Sequence, residues 1–435
     1  MKKTVNFIEA LAIVVGMIIG SGSFLKPGIV LKDAGTPSLS LLAWAAGGVI
    51  TLASALSIAE ITSAIPKSGG LYTYLEELYG KPAGFLLGWV QTVVSYPASV
   101  AAQAIAFATY SGFFLPLNPL QQKLLAVSAL AFILVMNILS TRYGGVIQTV
   151  ATVGKLVPIV AIIAFGLFSS AAPGYGGLQT ASASGAGFGA AILGTLWAYD
   201  GWIGVTNMAG EVRKPAKTLP KVISLGVLFV MLVYIAFNLA IFKVLPFKTI
   251  LASATPGADA AKALFGSGGG AFITAGIMVS TFGALNGYLM TAARVPQAMG
   301  EKGELPFSRF LGKVHPKLGT PANALLCQSV LAVIYIFSGT FNTLTDLLVF
   351  VLWIFFTMGV FGVFVLRKNT TLPQGSYRVP LYPFTPAVGV LGGLYILFST
   401  VFSDPVRSLV GIGITLLGLP VFYYRKHKSA GLTQK

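Results

Sequence analysis

The chain has 435 residues, of which 55% are hydrophobic and only 9% are charged, and its mean hydropathy is +0.82. A soluble domain has about 25% charged residues, so this composition excludes a soluble globular fold and makes lipid the expected solvent for most of the surface. The formal net charge of +17 is spread over short segments between apolar runs rather than gathered on one module, so no nucleic-acid partner is expected.

The apolar runs predict an all-α integral membrane protein with twelve transmembrane helices. Each run is near or above the roughly 20 residues that a helix needs to cross a bilayer core. The predicted segments are 7–31, 38–64, 83–112, 122–140, 146–170, 187–209, 220–245, 268–299, 321–338, 343–366, 382–402 and 407–424.

The distribution of positive charge predicts the orientation in the membrane. If the N-terminus is cytoplasmic, most of the 29 Lys and Arg fall on the cytoplasmic side, and Lys26 and Lys32 are among the few on the outer side. An even number of spans returns the chain to the side on which it began. Both termini are therefore predicted to be cytoplasmic.

Two of the twelve segments are interrupted near mid-membrane. The first, in "GMIIGSGSFLKPG", has Gly20 and Ser21 at its centre, and the sixth, in "TLWAYDGWIGVTNMAGE", has Asp200 followed by Gly201. The two lie five segments apart and so have opposite orientations, which is typical of an inverted repeat. No linker divides the chain, so we predict a single domain over 1–435.

Broken helices place free backbone groups inside the membrane. The N-terminal end of one half offers amides, which attract a carboxylate, and the C-terminal end of the other offers carbonyls, which suit an ammonium. An α-amino acid carries both groups on one carbon. The glycines let such a ligand approach the backbone closely.

The motifs "GMIIGSGSFLKPG", "IAEITSAIPKSGGLYTYLEELYG", "GKLVPI", "WAYDGW" and "RVPQAMGEKGELPF" resemble those of a known family. It is the L-type amino acid transporter branch of the amino acid–polyamine–organocation superfamily, and the likeness is to its bacterial serine/threonine and alanine-serine-cysteine exchangers. The resemblance implies a single transporter domain with a five-plus-five inverted repeat, at 7–170 and 187–366, and peripheral eleventh and twelfth helices at 382–424. It also implies sodium-independent exchange of small neutral L-amino acids (Ala, Ser, Thr, Cys) across the bacterial inner membrane.

The resemblance also assigns site residues. Residues at the first break match family positions around the substrate's carboxylate and amine. At the second break, Trp197 matches the aromatic side chain that covers the substrate in the family. The expected substrate-binding residues are Ile18, Gly20, Ser21, Gly22, Trp197, Ala198 and Asp200. For Asp200 three roles stay open: pairing with the substrate's ammonium, accepting a cationic side chain, or capping the broken helix.

Lys155, in "ATVGKLVPIV", is predicted to lie inside the membrane, about 13 Å along the fifth helix. An intramembrane lysine is a functional hypothesis by default, although a side chain that reaches the interface is the simpler alternative. The resemblance places Lys155 near Gly16 of the first helix and Ser280 of the eighth, where its ammonium would replace a coupling cation.

The sequence offers little for catalysis or a covalent partner. The histidines His315 and His427 form no cluster with Cys or carboxylates, so no enzyme, metal or cofactor is expected. Eukaryotic relatives carry a cysteine that bonds to a heavy chain, but the matching loop "SGFFLPLNPLQQ" has none and Cys327 lies elsewhere. The alternatives that stay open are a proton-coupled symporter, which would use Lys155 or Asp200, and a membrane sensor of amino acids.

Overall fold

The computed structural model describes residues 6–65, 67, 69–139, 141–169, 186–209, 212–369 and 376–432. Over these residues the protein is helical and has no β-strand. The helices are α1 Phe7–Ile18, α2 Gly22–Ala34, α3 Pro37–Ala64, α4 Leu71–Tyr79, α5 Lys81–Val90, α6 Tyr96–Ser111, α7 Pro119–Leu139, α8 Thr141–Phe168, α9 Phe188–Ala198, α10 Pro215–Val244, α11 Phe247–Ala252, α12 Pro256–Ala292, α13 Arg294–Glu301, α14 Ser308–Leu311, α15 Ala322–Ser338, α16 Phe341–Asn369, α17 Phe384–Ser403, α18 Pro405–Leu416 and α19 Gly418–Leu432.

Eight helical stretches among the described residues are long and apolar enough to cross a membrane without a sharp bend. The pair α1 and α2 makes a ninth, bent by 41° at its break. Three of the twelve predicted segments, 146–170, 187–209 and 321–338, contain only shorter apolar helices by this test, and residue 170 lies outside the described part of the chain. The described residues thus contain up to nine candidate spans, and the twelve predicted spans are not all identified among them.

The helix ends follow from local sequence signals. The α1 helix begins with a capping box, in which the Asn6 side chain accepts from the Glu9 amide and the Glu9 carboxylate accepts from the Asn6 amide. Thr36 caps α3, where Pro37 occupies the first turn. The α2 helix ends at Gly35, whose φ of +81° is the left-handed conformation that glycine adopts without strain.

The third predicted span contains a wider turn. Residues Gln91–Ser95 form a π-helical turn between α5 and α6, directly before Pro97. Proline has no amide hydrogen to donate and its ring crowds the preceding turn, so the ladder loosens on its N-terminal side. The turn lies beside the helix breaks, because Gln91 and Ser95 line the same cavity as Gly201.

The core packs around the two interrupted helices. The α12 helix lies against α8 and α6, α10 lies against α3 and α1, and α2 packs on α9. Small residues permit these close approaches: a Cβ on Gly283 would lie 2.2 Å from the Cβ of Ala151. The most exposed spans are Pro119–Leu139, Phe384–Ser403 and Pro405–Arg425, whose apolar windows are 28%, 28% and 22% buried, as expected for lipid-facing helices.

Candidate functional site

The break in the first span leaves carbonyls of α1 without helical partners. Ile19 is extended, with φ −72° and ψ 94°, and Ser21 precedes α2 without a side-chain capping bond. The Ser21 hydroxyl is fully buried and has no hydrogen-bond partner among the described residues. The break therefore holds free backbone and side-chain polar groups in the protein interior.

The second break follows α9, which ends at Ala198. Gly201 has φ +97°, and a Cβ there would lie 3.1 Å from the backbone carbon of Met17, so both the backbone conformation and the packing favour glycine. A short 3₁₀ helix, Gly204–Met208, continues the chain. Both predicted interruptions are therefore present as breaks in helical structure.

The two breaks meet in space. A Cβ on Gly22 would lie 2.5 Å from the Cα of Ala198, so the backbones touch. The Tyr234 hydroxyl of α10 lies 2.8 Å from the Ile18 carbonyl oxygen and 2.9 Å from that of Ala198. Its single hydrogen is shared between these two carbonyls, one from each break. The predicted residues Ile18, Gly22 and Ala198 are thus neighbours, and Tyr234 joins them.

Lys155 is fully buried and binds the first break. Its Nζ donates to the carbonyl oxygens of Gly16 at 2.6 Å and Ile19 at 2.7 Å. Gly16 was a predicted neighbour, whereas Ile19 was not. Ser280, the other predicted neighbour, forms no hydrogen bond with Lys155, and its buried hydroxyl has no partner within the described ranges. The ammonium is therefore fixed by backbone carbonyls of the interrupted helix.

Asp200 is held by another helix rather than only by its own backbone. The Tyr288 hydroxyl of α12 donates to the Asp200 carboxylate at 3.0 Å, and the carboxylate also contacts the Gly201 amide. The lining of a small adjacent cavity includes Met17, Gln91, Ser95, Ser99, Asp200 and Tyr288. The cavity has room for about one or two water molecules. In this conformation the site is closed around its own side chains.

Trp197 lies between aromatic rings at the second break. It stacks on Tyr288, with centroids 6.2 Å apart and planes at 15°, and it meets Phe341 edge-on at 6.0 Å. The Trp197 Nε1 is buried without a hydrogen-bond partner in the described part of the chain. Its ring is therefore placed by packing on α12 and α16, and its one polar atom is unused.

For the amino acid exchange that the sequence predicts, we expect Trp197→Ala to lower the rate about tenfold or more, because the ring closes the second break. The protein should still insert and purify as a monodisperse species. A matched control is Trp89→Ala, which removes a tryptophan bonded to the Ile414 carbonyl, away from the breaks. Equal losses of exchange in both variants would show that Trp197 contributes only packing.

Gln103 is a site residue that the sequence analysis missed. Its Oε1 accepts from the Ser21 amide at 3.3 Å, and its side chain is buried on α6. The signal was available: Gln103 is the one carboxamide in the alanine-rich stretch "SVAAQAIAFATY", and a polar side chain inside a membrane helix deserves a functional hypothesis.

Two buried ion pairs were also missed. Lys26 lies inside α2, fully buried, and its Nζ is 3.0 Å from Asp346 on α16. The sequence analysis treated this lysine only as an outer-side charge. Glu60 of α3 is fully buried and accepts two bonds from Arg367 at 2.7 and 2.8 Å. Each pair joins helices far apart in sequence, which a pattern of single charges does not reveal.

A polar cluster joins α4 to the segment after α13. Tyr72 donates to Glu304 at 2.7 Å, while the Lys302 Nζ lies 3.0 Å from the Tyr72 hydroxyl and 2.9 Å from Glu76. Burial raises the pKa of the Glu304 carboxyl, and the hydrogen bond from Tyr72 opposes that shift. Two of the family-like motifs, "SGGLYTYLEELYG" and "RVPQAMGEKGELPF", thus contact each other here.

The described residues contain no group of three or more His, Cys, Asp or Glu that could hold a metal ion. What the site offers instead is backbone carbonyls, amides and a fixed ammonium at two apposed helix breaks. Such an arrangement is chemically suited to a small polar molecule held by hydrogen bonds. The fold and site together define a membrane transporter.

The amino acid permease family profile matches residues 5–419, and the chain belongs to this family. It is 42% identical to the serine/threonine exchanger SteT of Bacillus subtilis, over 99% of this chain and 98% of the relative. It is 32% identical to the mouse b(0,+)-type amino acid transporter 1, over 98% and 88%. The human cystine/glutamate transporter is 30% identical, over 97% and 85%. The expected family resemblance is confirmed, and the protein is a transporter rather than an enzyme.

Proposed function

We propose that this protein is a sodium-independent antiporter that exchanges small neutral L-amino acids (Ala, Ser, Thr, Cys) by alternating access. The observation that carries the proposal is the meeting of two helix breaks, joined by Tyr234. Beside them lie buried polar atoms of Ser21 and Trp197 that have no hydrogen-bond partner among the residues the structure describes. Such atoms are costly to bury unless a ligand satisfies them. The similarity to a serine/threonine exchanger supports the choice of small polar substrates.

In this proposal the carboxylate of the substrate binds the amides of Ser21 and Gly22 at the start of α2, and Trp197 closes over it. The ammonium faces carbonyls at the end of α1, including that of Ile18, which in this conformation accepts from the Tyr234 hydroxyl. Lys155 takes the place of a coupling cation, because its Nζ already binds the carbonyls of Gly16 and Ile19. Asp200 lines the small adjacent cavity and is proposed to face the side-chain end of the substrate.

The architecture that we propose has twelve spans in the bacterial inner membrane with both termini in the cytoplasm. Residues 7–170 and 187–366 form the two inverted repeats, and 382–424 the peripheral eleventh and twelfth helices. No disulfide-linked heavy chain is proposed, because the lone Cys327 lies half-buried within α15. Lipid is the surrounding partner, and small neutral amino acids are the ligands.

The test is counterflow in proteoliposomes preloaded with each amino acid in turn. Antiport requires substrate on both sides and should show accelerated uptake only with a loaded lumen. Uptake that follows a pH gradient into empty liposomes would indicate proton-coupled symport instead. Binding without any uptake would indicate a sensor, and either result would overturn the proposal.

Replacing sodium by choline should leave the rate of serine exchange unchanged, because the Lys155 ammonium is proposed to supply the positive charge at the first break. The same liposomes, loaded with L-serine, are assayed in both salts at equal ionic strength. A matched assay in potassium controls for a nonspecific salt effect. A steep dependence on sodium would contradict the assigned role of Lys155.

A further inference from the structure

The Ser21 amide, to which the proposed function assigns the substrate's carboxylate, is already occupied. The Gln103 Oε1 accepts its hydrogen at 3.3 Å. The carboxamide orientation is fixed by chemistry, because only the oxygen can accept from an amide. We propose that the Gln103 carboxamide is an internal stand-in for the substrate's carboxylate, which displaces it from the Ser21 amide on binding. The proposal rests on the proposed function.

The pocket is shaped to admit this side chain. A Cβ on Gly20 would lie 3.0 Å from the Gln103 Nε2 and 3.4 Å from the Cβ of Ala284. The carboxamide therefore lies directly against the bare backbone of Gly20, with α12 behind it. Gln103 is 2% exposed, so water does not compete for the Ser21 amide in this conformation.

The relative strength of the two hydrogen-bond acceptors favours replacement of the Gln103 carboxamide by a carboxylate. A carboxamide oxygen is a neutral acceptor, and at 3.3 Å its bond is longer than the usual 2.9–3.0 Å. A carboxylate makes charge-assisted bonds of about 2.7–2.9 Å and is further favoured by the positive end of the α2 helix. The amide is thus satisfied when no substrate is bound, yet by a partner that a carboxylate can replace.

The α2 helix does not depend on Gln103 alone for its position. The Tyr110 hydroxyl, also on α6, donates to the Phe24 carbonyl oxygen at 3.0 Å, and Lys26 pairs with Asp346. Loss of the Gln103 carboxamide therefore leaves α2 attached to α6 and to α16. What it removes is the competitor for the Ser21 amide.

The proposal predicts that loss of the Gln103 carboxamide tightens substrate binding, which a purely structural role of this residue would not do. Deleting the Gln103 acceptor raises the free energy of the substrate-free protein only, so substrate binding becomes tighter. The loss of one net hydrogen bond corresponds to about a two- to twelvefold lower Kd. Gln103→Glu has the opposite effect, because its carboxylate holds the amide more firmly and repels the incoming one.

The experiment measures the Kd of L-serine by isothermal titration calorimetry on the full-length purified protein at pH 7.5. Gln103→Leu and Gln103→Asn should bind about two to twelve times more tightly than wild type, and Gln103→Glu at least about ten times more weakly. The asparagine variant keeps the amide but is one methylene too short to reach Ser21, so it serves if the leucine variant does not fold. Gln328→Leu is the control, because it removes a buried carboxamide that donates to Thr92, elsewhere on the third span.

Unchanged or weaker serine binding in Gln103→Leu and Gln103→Asn would overturn the inference, and weaker binding would mean that Gln103 contacts the substrate directly. Tightening in Gln328→Leu as large as in Gln103→Leu would also overturn it, as a general effect of losing a buried amide. If wild type binds none of Ala, Ser, Thr or Cys, the proposed function itself fails and this inference falls with it.

Discussion

Replacing Lys155 by alanine is expected to lower amino acid exchange at least about thirtyfold while leaving insertion and yield near the wild-type level. The side chain donates to two carbonyls, those of Gly16 and Ile19, and both lose their partner. A buried group without its hydrogen bond costs about 1–3 kcal/mol, so two such losses account for a factor of thirty or more. Insertion should not suffer, because the substitution makes the segment more apolar.

Substrate affinity and exchange rate are measured separately for Lys155→Ala, on both faces of the membrane, because a tether to a mobile helix can act on the conformational step alone. Lys243→Ala is a matched control: its Nζ also donates to a helix-end carbonyl, that of Leu167, but at the C-terminal end of α10. Wild-type rates in a correctly inserted Lys155→Ala protein would leave the lysine no role in transport.

Replacing Gly22 by valine is expected to abolish detectable binding of L-serine. The new Cβ would lie 2.5 Å from the Cα and 2.8 Å from the Cβ of Ala198, and backbone atoms cannot move aside as a flexible side chain can. The two breaks must then separate, which displaces the amides assigned to the carboxylate and stretches the bonds from Tyr234.

Gly413→Val on α18 is the control for this variant, because a Cβ at Gly413 meets nothing within 4 Å. It makes the same change of residue in a membrane helix and should bind serine normally. Native affinity for serine in Gly22→Val would show that the carboxylate site has been assigned to the wrong part of the chain.

The breaks and the buried lysine could be predicted from sequence because they are local anomalies. Glycine and serine in the middle of an apolar run, an Asp-Gly pair, and a lysine within a span each violate the rule for a membrane helix. The proximity of Lys155 to the first break was also predicted from the sequence, since its Nζ donates to the Gly16 carbonyl oxygen. Ser280, the other predicted neighbour of Lys155, forms no hydrogen bond with it, and its role stays a prediction.

Tyr234 could not be identified so directly, whereas Gln103 had a local signal that was overlooked. Tyr234 sits in "FVMLVYIAFN", where a tyrosine looks like ordinary packing, yet its hydroxyl reaches Ile18, 216 residues away in sequence. Contacts of this kind are set by the register between helices rather than by any local pattern. The predicted eighth segment starts at 268, just after the kink at Gly266, whose φ is +69°, and the preceding turns of α12 from Pro256 were not predicted.

The first span consists of two helical halves, α1 and α2, and the chain bends by 41° at the break between them. The α1 half is hydrogen-bonded to α8 through Lys155. The α2 half is bonded to α6 through Tyr110 and to α16 through Lys26. These polar contacts tie the two halves to different helices, while both halves also pack against α10 and α12. A continuous helix would transmit every tilt from one membrane face to the other, whereas a span broken at mid-membrane can bend at its break.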